Sequence, residues 1–174
     1  MVSRLIKLLD THFLKSKSNS LKLNLKECQS YVHQISHFEF LDYIRKQNIQ
    51  KNIQQNKENV IVEDSKTEIK KINRTKLHET KDYELILISW APGAKSHIHN
   101  HPENGCIYKV LDGILIEETY DPKTIELTNL VTLLPNDIGY IDNTICYHKI
   151  YNPEPFPAYS LHIYSPPNFN MSIY

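Results

Sequence analysis

Glycine and proline are missing from the first half of this chain. All four glycines and all nine prolines of the 174 residues lie after Ala91. Both residues punctuate turns, so their absence from 1–91 excludes a turn-rich fold there and predicts helices and uninterrupted strands. The rest should be short strands with frequent turns. Cysteine is scarce: Cys28, Cys106 and Cys146, odd in number and widely spaced, exclude a disulfide framework and suit a reducing cytosol. No apolar run approaches the roughly 18 residues of a membrane span. Met1–Leu9 carries Arg4 and Lys7 inside its apolar stretch and no small-residue cleavage site, which argues against a signal peptide. Net charge is zero, so there is no electrostatic footprint for nucleic acid. That zero hides a split, because residues 1–91 hold 16 Lys/Arg against 11 Asp/Glu and residues 92–174 hold 4 against 9.

What is present fits an ordinary globular chain, 40% hydrophobic and 23% charged. The length predicts one domain over 1–174, with a helical segment at 1–60 and a β-rich segment at 61–174. Leu5, Ile6, Leu8, Leu9, Phe13 and Leu14 recur at helical spacing and predict an amphipathic helix over about 3–15. A second helix is expected over Leu25–Ile35. Ser36-x-x-Glu39 has the form of a capping box, and Phe38, Leu41 and Ile44 continue a third helix to about Asn48. The Lys/Asn/Gln-rich stretch 45–60 reads as a solvated helix or loop, or as an interaction segment.

From residue 60 the period changes to two. Ile61, Glu68–Lys76, Tyr83–Ser89, Ile107–Leu111, Ile114–Glu118, Leu127–Leu133, Gly139–Asp142, His148–Tyr151 and Tyr159–Tyr164 read as short strands separated by polar or Gly/Pro turns. Asp112-Gly113 is a hairpin signal. So many short strands predict a mainly β sandwich or closed antiparallel barrel such as a jelly roll.

Three features carry chemistry. His97, His99 and His101 alternate, and on a strand residues two apart share a face, so that pairs of these imidazoles could chelate one metal with His148 or His162. Imidazole suits Zn, Cu, Fe and Ni, so the ligand type names no metal. Ser160, His162 and Tyr164 alternate with Leu161 and Ile163. Two readings are open: the polar face lines an interior and forms its own hydrogen-bonded chain, or it looks at solvent while Leu161 and Ile163 are core. Arginine is rare, Arg4, Arg45 and Arg74 among 20 basic residues, and Arg74 lies in a strand just ahead of the His cluster. Its planar fork suits a carboxylate or phosphate.

Gly93-(x5)-His99-x-His101-(x4)-Cys106-(x6)-Gly113 resembles the first cupin motif, with Cys106 where many cupins have a Glu ligand. Pro135, Gly139 and His148-(x3)-Asn152 resemble the second. More narrowly, SWAPGAKSHIHNHPENGC, GYIDNTICYHKIYN and AYSLHIYSPPNF resemble the cysteine dioxygenase family, from about Arg74 to Phe169. The resemblance implies a cupin jelly-roll barrel with two or three N-terminal α-helices packed outside. It implies a cytoplasmic, monomeric enzyme of cysteine catabolism that oxidises L-cysteine with O2 to cysteine sulfinic acid at a mononuclear non-haem Fe(II), with no organic cofactor.

Residue by residue, it assigns His99, His101 and His148 as the iron ligands and leaves His97 out. Arg74 corresponds to the arginine that clamps the substrate carboxylate, one residue nearer Trp90 than in the animal pattern. Tyr164 corresponds to the phenol over the site, Cys106 to its thioether partner, and Ser160 and His162 to the residues hydrogen-bonded behind it. The chain departs from the animal pattern at Gly105, where the family has His, at Ile72, where it has Tyr, and in a short tail of Asn168–Tyr174. Alternatives are a dioxygenase of 3-mercaptopropionate or cysteamine, and a cupin that binds metal without catalysis.

Overall fold

The computed structural model describes residues 2–18, 25–36, 38–42, 59–61 and 71–174. Helix α1 spans Val2–Ser18, a 3-10 turn spans Leu25–Cys28, α2 spans Gln29–His33, and a short helical turn covers 38–42. The strands are β1 (Asn59–Ile61), β2 (Lys71–Glu79), β3 (Glu84–Trp90), β4 (Cys106–Asp112), β5 (Leu115–Tyr120), β6 (Leu127–Leu133), β7 (Ile138–Ile141), β8 (Tyr147–Tyr151) and β9 (Ala158–Tyr164). The expected strands occur within a few residues of their predicted limits. Residues 43–58 and 68–70, parts of a predicted helix, of the polar stretch and of a predicted strand, lie outside the described residues.

The strands form two antiparallel sheets. One has six strands in the order β1-β2-β3-β9-β4-β7, the other three in the order β6-β5-β8. Alternation then sorts the side chains. Ile86, Ile88, Trp90, Cys106, Tyr108, Val110 and Tyr164 turn inward and meet Leu115, Leu133 and Ile150 of the second sheet. Leu85, Leu87, Ile107, Leu111, Leu161 and Ile163 turn outward, and Leu5, Leu9, Phe13, Leu25, Val32 and Phe40 of the helical segment cover them. The helices therefore pack on the outside of the barrel. β9 is buried on both faces, which resolves the open reading of Ser160, His162 and Tyr164: they face the interior, and Leu161 and Ile163 lie under helices.

One local expectation changes. Phe38 is 72% exposed, and Phe40 is the aromatic that enters the core at 0%. The capping box does form: Glu39 N–H donates to Ser36 Oγ at 3.1 Å, and Ser36 N–H donates to Glu39 Oε2 at 3.4 Å. The helical segment is also tied to the barrel by Lys109, 1% exposed, whose ammonium donates to the carbonyl of Val32 in the last turn of α2 and to that of Ile35 just beyond it. A cation at a helix C-terminus satisfies carbonyls that the helix leaves open.

Gly105 precedes β4 at φ 86°, and a Cβ there would lie 2.6 Å from the Ile141 carbonyl oxygen and 2.9 Å from the Tyr140 hydroxyl. This accounts for the departure from the animal pattern: no side chain fits while Tyr140 donates to Asp142 and to the Asn104 carbonyl. Gly105→Ala is expected to cost about 2 kcal/mol or more of stability, read as a lower urea midpoint at unchanged slope.

Candidate metal centre and active site

The three-histidine group is built by one loop and one strand. The loop is not a strand, contrary to the alternating pattern; Pro92-Gly93 and Pro102 bound it, and isolated bridges and a few hydrogen bonds anchor it in place of a continuous ladder. One bridge matters most. His99 N–H donates to the His148 carbonyl at 3.0 Å and His148 N–H donates back at 3.4 Å. Antiparallel partners project their side chains to the same side, so His99 from the loop and His148 from β8 stand together. His101, two residues on, shares that side. Asn143 holds it by accepting from the His101 N–H and donating to its carbonyl, both at 2.7 Å.

The ring protons can be assigned from their partners. His99 Nδ1 lies 2.9 Å from the His97 carbonyl oxygen, which can only accept, so Nδ1 carries the proton. His148 Nδ1 donates to Glu117 Oε1 at 2.6 Å. Both rings therefore turn a bare Nε2 lone pair inward. These nitrogens are 3.1 Å apart, and His101 Nε2 is also 3.1 Å from His148 Nε2.

Facing lone pairs repel unless a proton or a cation lies between them. Burial, then His148, pushes the His99 pKa down to about 3, and burial takes His101 well below the usual histidine range. A shared metal ion fits instead. Imidazole nitrogens about 2.1 Å from one ion stand roughly 3.0–3.4 Å apart between a right angle and a tetrahedral one. His99, His101 and His148 are the described group of His, Cys, Asp and Glu able to hold such an ion. His97 lines the adjoining cleft but is not in that group.

The interior face of the six-stranded sheet supplies the rest in rows. Glu84, Tyr164, Cys106 and Ile141 are successive cross-strand partners, and Ile86, His162, Tyr108 and Gly139 form the next row. Register thus places Cys106 directly beside Tyr164. Along β9, Trp90 Nε1 donates to Ser160 Oγ at 2.8 Å, and Ser160 Oγ is 2.8 Å from His162 Nε2. Indole can only donate, so the Ser160 hydroxyl proton is left for His162 Nε2. Burial, then Arg74, keeps His162 neutral. Its Nδ1 proton then points to the Tyr164 oxygen at 3.3 Å, with Cys106 Sγ at 3.7 Å. Tyr164 accepts at its oxygen, which leaves its own proton for Cys106 or for a group in the cleft.

Arg74 projects inward from β2 with its guanidinium 5.1 Å from the centre of the Tyr164 ring. Among the described residues no carboxylate forms an ion pair with it. Tyr164 is the main influence holding its pKa up. Burial raises the pKa of both Tyr164 and Cys106, and Arg74 opposes the rise in each case.

Arg74, Tyr164, His162, His99 and His148 share one cleft, walled by Ile72, Ile88, Ile150, Trp90 and Met171. Met171 comes from the short tail. The tail returns across the site, bridging Ile173 to His99, with Asn100 N–H donating to the Ser172 carbonyl at 3.3 Å and Tyr174 N–H donating to the Ile98 carbonyl at 3.0 Å.

The sequence profile described as "Cysteine dioxygenase type I" matches residues 19–174. The chain belongs to that family. The match extends N-terminally through most of the helical segment, well beyond Arg74, where the recognisable motifs begin. The cysteine dioxygenase type 1 of Rattus norvegicus is 34% identical over 91 residues, covering 49% of this chain and 46% of the relative. The human protein of the same name is 35% identical over the same shares. The chain thus spans about half the length of the curated relatives it matches. A Klebsiella pneumoniae protein with a double-stranded β-helix domain superposes with a TM-score of 0.50 at 20% identity, covering 65% of this chain and 90% of that one. The fold is the cupin jelly roll, mainly β with its helices outside.

Of the residues the cysteine dioxygenase motifs point to, Arg74, His99, His148, His162 and Tyr164 line the cleft, while His101 groups with the other two imidazoles, Cys106 stands beside Tyr164 and Ser160 backs His162. Trp90, Glu117, Tyr108 and Asn143 were missed. Glu117 left a trace: it is in phase with Leu115 on β5, an acid at an inward position. Cys28 is buried in the outer core and Cys146 packs against the inner one, and all three cysteines are free. Among the described residues no helix is long and apolar enough to cross a membrane.

Proposed function

We propose that this chain is a thiol dioxygenase that oxidises L-cysteine with O2 to cysteine sulfinic acid, using one Fe(II) held by His99, His101 and His148. Family membership supports iron and this reaction. The observation that carries the substrate class is Arg74, a cation without an ion-pair partner among the described residues, sharing a small cleft with the three imidazoles. When bound, Fe(II) supplies a cation that favours the thiolate form of the substrate and a redox centre for electron passage to O2.

The protein's own residues do the rest. Arg74 receives the substrate carboxylate through charge-assisted hydrogen bonds and sets the orientation of the sulfur. Tyr164 presents its hydroxyl to the reacting groups, with His162, Ser160 and Trp90 fixing its direction. Ile72, Ile88, Ile150 and Met171 exclude water from the reacting sulfur. The sulfur gives up four electrons, which reduce one O2, and both oxygen atoms end on sulfur. No external reductant is required. The reaction takes place on a single domain, 1–174, in a reducing cytoplasm, and the chain acts as a monomer.

One alternative has its own support. Among the described residues no acidic side chain lines the cleft to pair with a substrate amine, and 3-mercaptopropionate is the nearest rival. Cysteamine, without a carboxylate, leaves Arg74 unused. Oxygen uptake by Fe(II)-loaded protein separates these: cysteine is expected to be used best, then 3-mercaptopropionate, with cysteamine poorest. No uptake with any thiol would leave a cupin that binds metal without catalysis.

Cys106 and Tyr164, cross-strand partners, are proposed to join in a thioether during turnover. The new bond replaces the S–H of Cys106 and a ring C–H of Tyr164, and O2 takes up the two protons and two electrons released, leaving as hydrogen peroxide. Turned-over protein should be two hydrogens lighter by intact mass and yield a linked Cys106–Tyr164 peptide after digestion. Turned-over protein that retains its full mass would overturn the assignment.

A further inference from the structure

Glu117 has two partners. It accepts from His148 Nδ1 through Oε1 at 2.6 Å, and from the Tyr108 hydroxyl through Oε2 at 2.5 Å. Tyr108 belongs to β4 in the six-stranded sheet, whereas Glu117 and His148 belong to β5 and β8 in the other. The hydrogen bonds therefore cross the interior and join the two sheets at a metal-ligating ring. Tyr108 also lies against two functional rings, with centroids 5.9 Å from His148 and 5.9 Å from His162.

Space for this phenol comes from Gly139, its cross-strand partner on β7. A Cβ on Gly139 would sit 2.0 Å from Tyr108 Cζ and 2.2 Å from its hydroxyl oxygen. Gly139 is absent from the positive-φ glycines, so backbone conformation does not demand glycine here. Room for the Tyr108 ring does. Glu117 is 7% exposed and Tyr108 4%, so water cannot replace a lost hydrogen bond cheaply.

We infer that Tyr108, admitted by Gly139, is a positioning residue for the metal centre, holding Glu117 so that it fixes the orientation of His148 and its inward Nε2. A carboxylate behind a metal-bound imidazole orients the ring and raises its basicity. The phenol holds that carboxylate from the other side and so fixes its direction toward His148. This inference rests on the reading that His99, His101 and His148 hold the metal.

The test uses the full chain and metal binding. Fe(II) affinity is measured by competition with a chromophoric chelator, and the visible spectrum of the Co(II)-substituted protein reports the ligand field. Tyr108→Phe keeps the ring and is expected to weaken Fe(II) binding roughly 10-fold and to shift the Co(II) bands. Gly139→Ala alone is expected to weaken it comparably by displacing the ring. The double variant Tyr108→Leu/Gly139→Ala refills the space with smaller and larger groups exchanged. It should recover the melting temperature lost in Gly139→Ala but not the metal affinity.

Wild-type affinity and spectrum in Tyr108→Phe would overturn the inference, as would full recovery of affinity in the double variant, since packing alone would then explain it. Wild-type protein that binds neither Fe(II) nor Co(II) would overturn the metal assignment itself, and this inference with it.

Discussion

Replacing Arg74 with glutamine is expected to raise the KM for cysteine roughly 100-fold, because a hydrogen bond to a charged group contributes about 1.5–3 kcal/mol and its loss strands a carboxylate in a largely apolar cleft. The same change should alter the KM for cysteamine little, because cysteamine has no carboxylate to strand. The contrast is the informative quantity. A substitution that merely loosened the barrel would raise both. The guanidinium also lies 5.1 Å from the Tyr164 ring centre, so kcat should fall as well if Tyr164 loses its direction. Initial rates with both thiols at saturating O2 decide the matter, and equal changes for the two would remove Arg74 from the role of clamp.

The second large effect separates the histidines from one another. His148→Ala is expected to weaken Fe(II) binding by more than the roughly 100-fold that losing an outer hydrogen-bond partner can cost, and activity should vanish with the metal. His97→Ala should leave Fe(II) affinity within about twofold, since only the His97 carbonyl takes part, through its bond to His99 Nδ1 at 2.9 Å. Chelator competition on the two variants checks this. A comparable loss in His97→Ala would mean that the ligand set is drawn wrongly.

Much of the fold could be read in advance because its signals are local. β6 was placed at Leu127–Leu133 from period-two alternation between turns, and Asp112-Gly113 marked the hairpin between β4 and β5. The direction of β9 was a different matter. Ser160-Leu161-His162-Ile163-Tyr164 alternates cleanly, but alternation does not say which face is inside. The outer helices bury Leu161 and Ile163 as thoroughly as the barrel buries the polar set, so both faces are interior. The His97–His101 alternation had the right residues on the wrong element. Two imidazoles from a loop converge through one bridge to β8, which a reading of strands does not anticipate.

Trp90, Asn143 and Glu117 escape a sequence reading because their partners are distant in sequence. Trp90 donates to Ser160 across 70 positions and Asn143 clasps His101 across 42. Glu117 meets His148 across 31. No spacing rule reaches that far. Gly139 was read as part of a cupin motif, but its purpose is visible only beside Tyr108, which fills the volume that glycine leaves empty.

In the proposed reaction, Arg74, Tyr164 and the three imidazoles together place both atoms of one O2 on a single substrate sulfur. Turnover of cysteine by the Fe(II)-loaded protein under 18O2, with the sulfinate analysed by mass spectrometry, puts this to the test. Cysteine sulfinic acid carrying two 18O atoms is expected as the main product. Cystine, or a sulfinate holding one labelled oxygen and one from solvent, would contradict it.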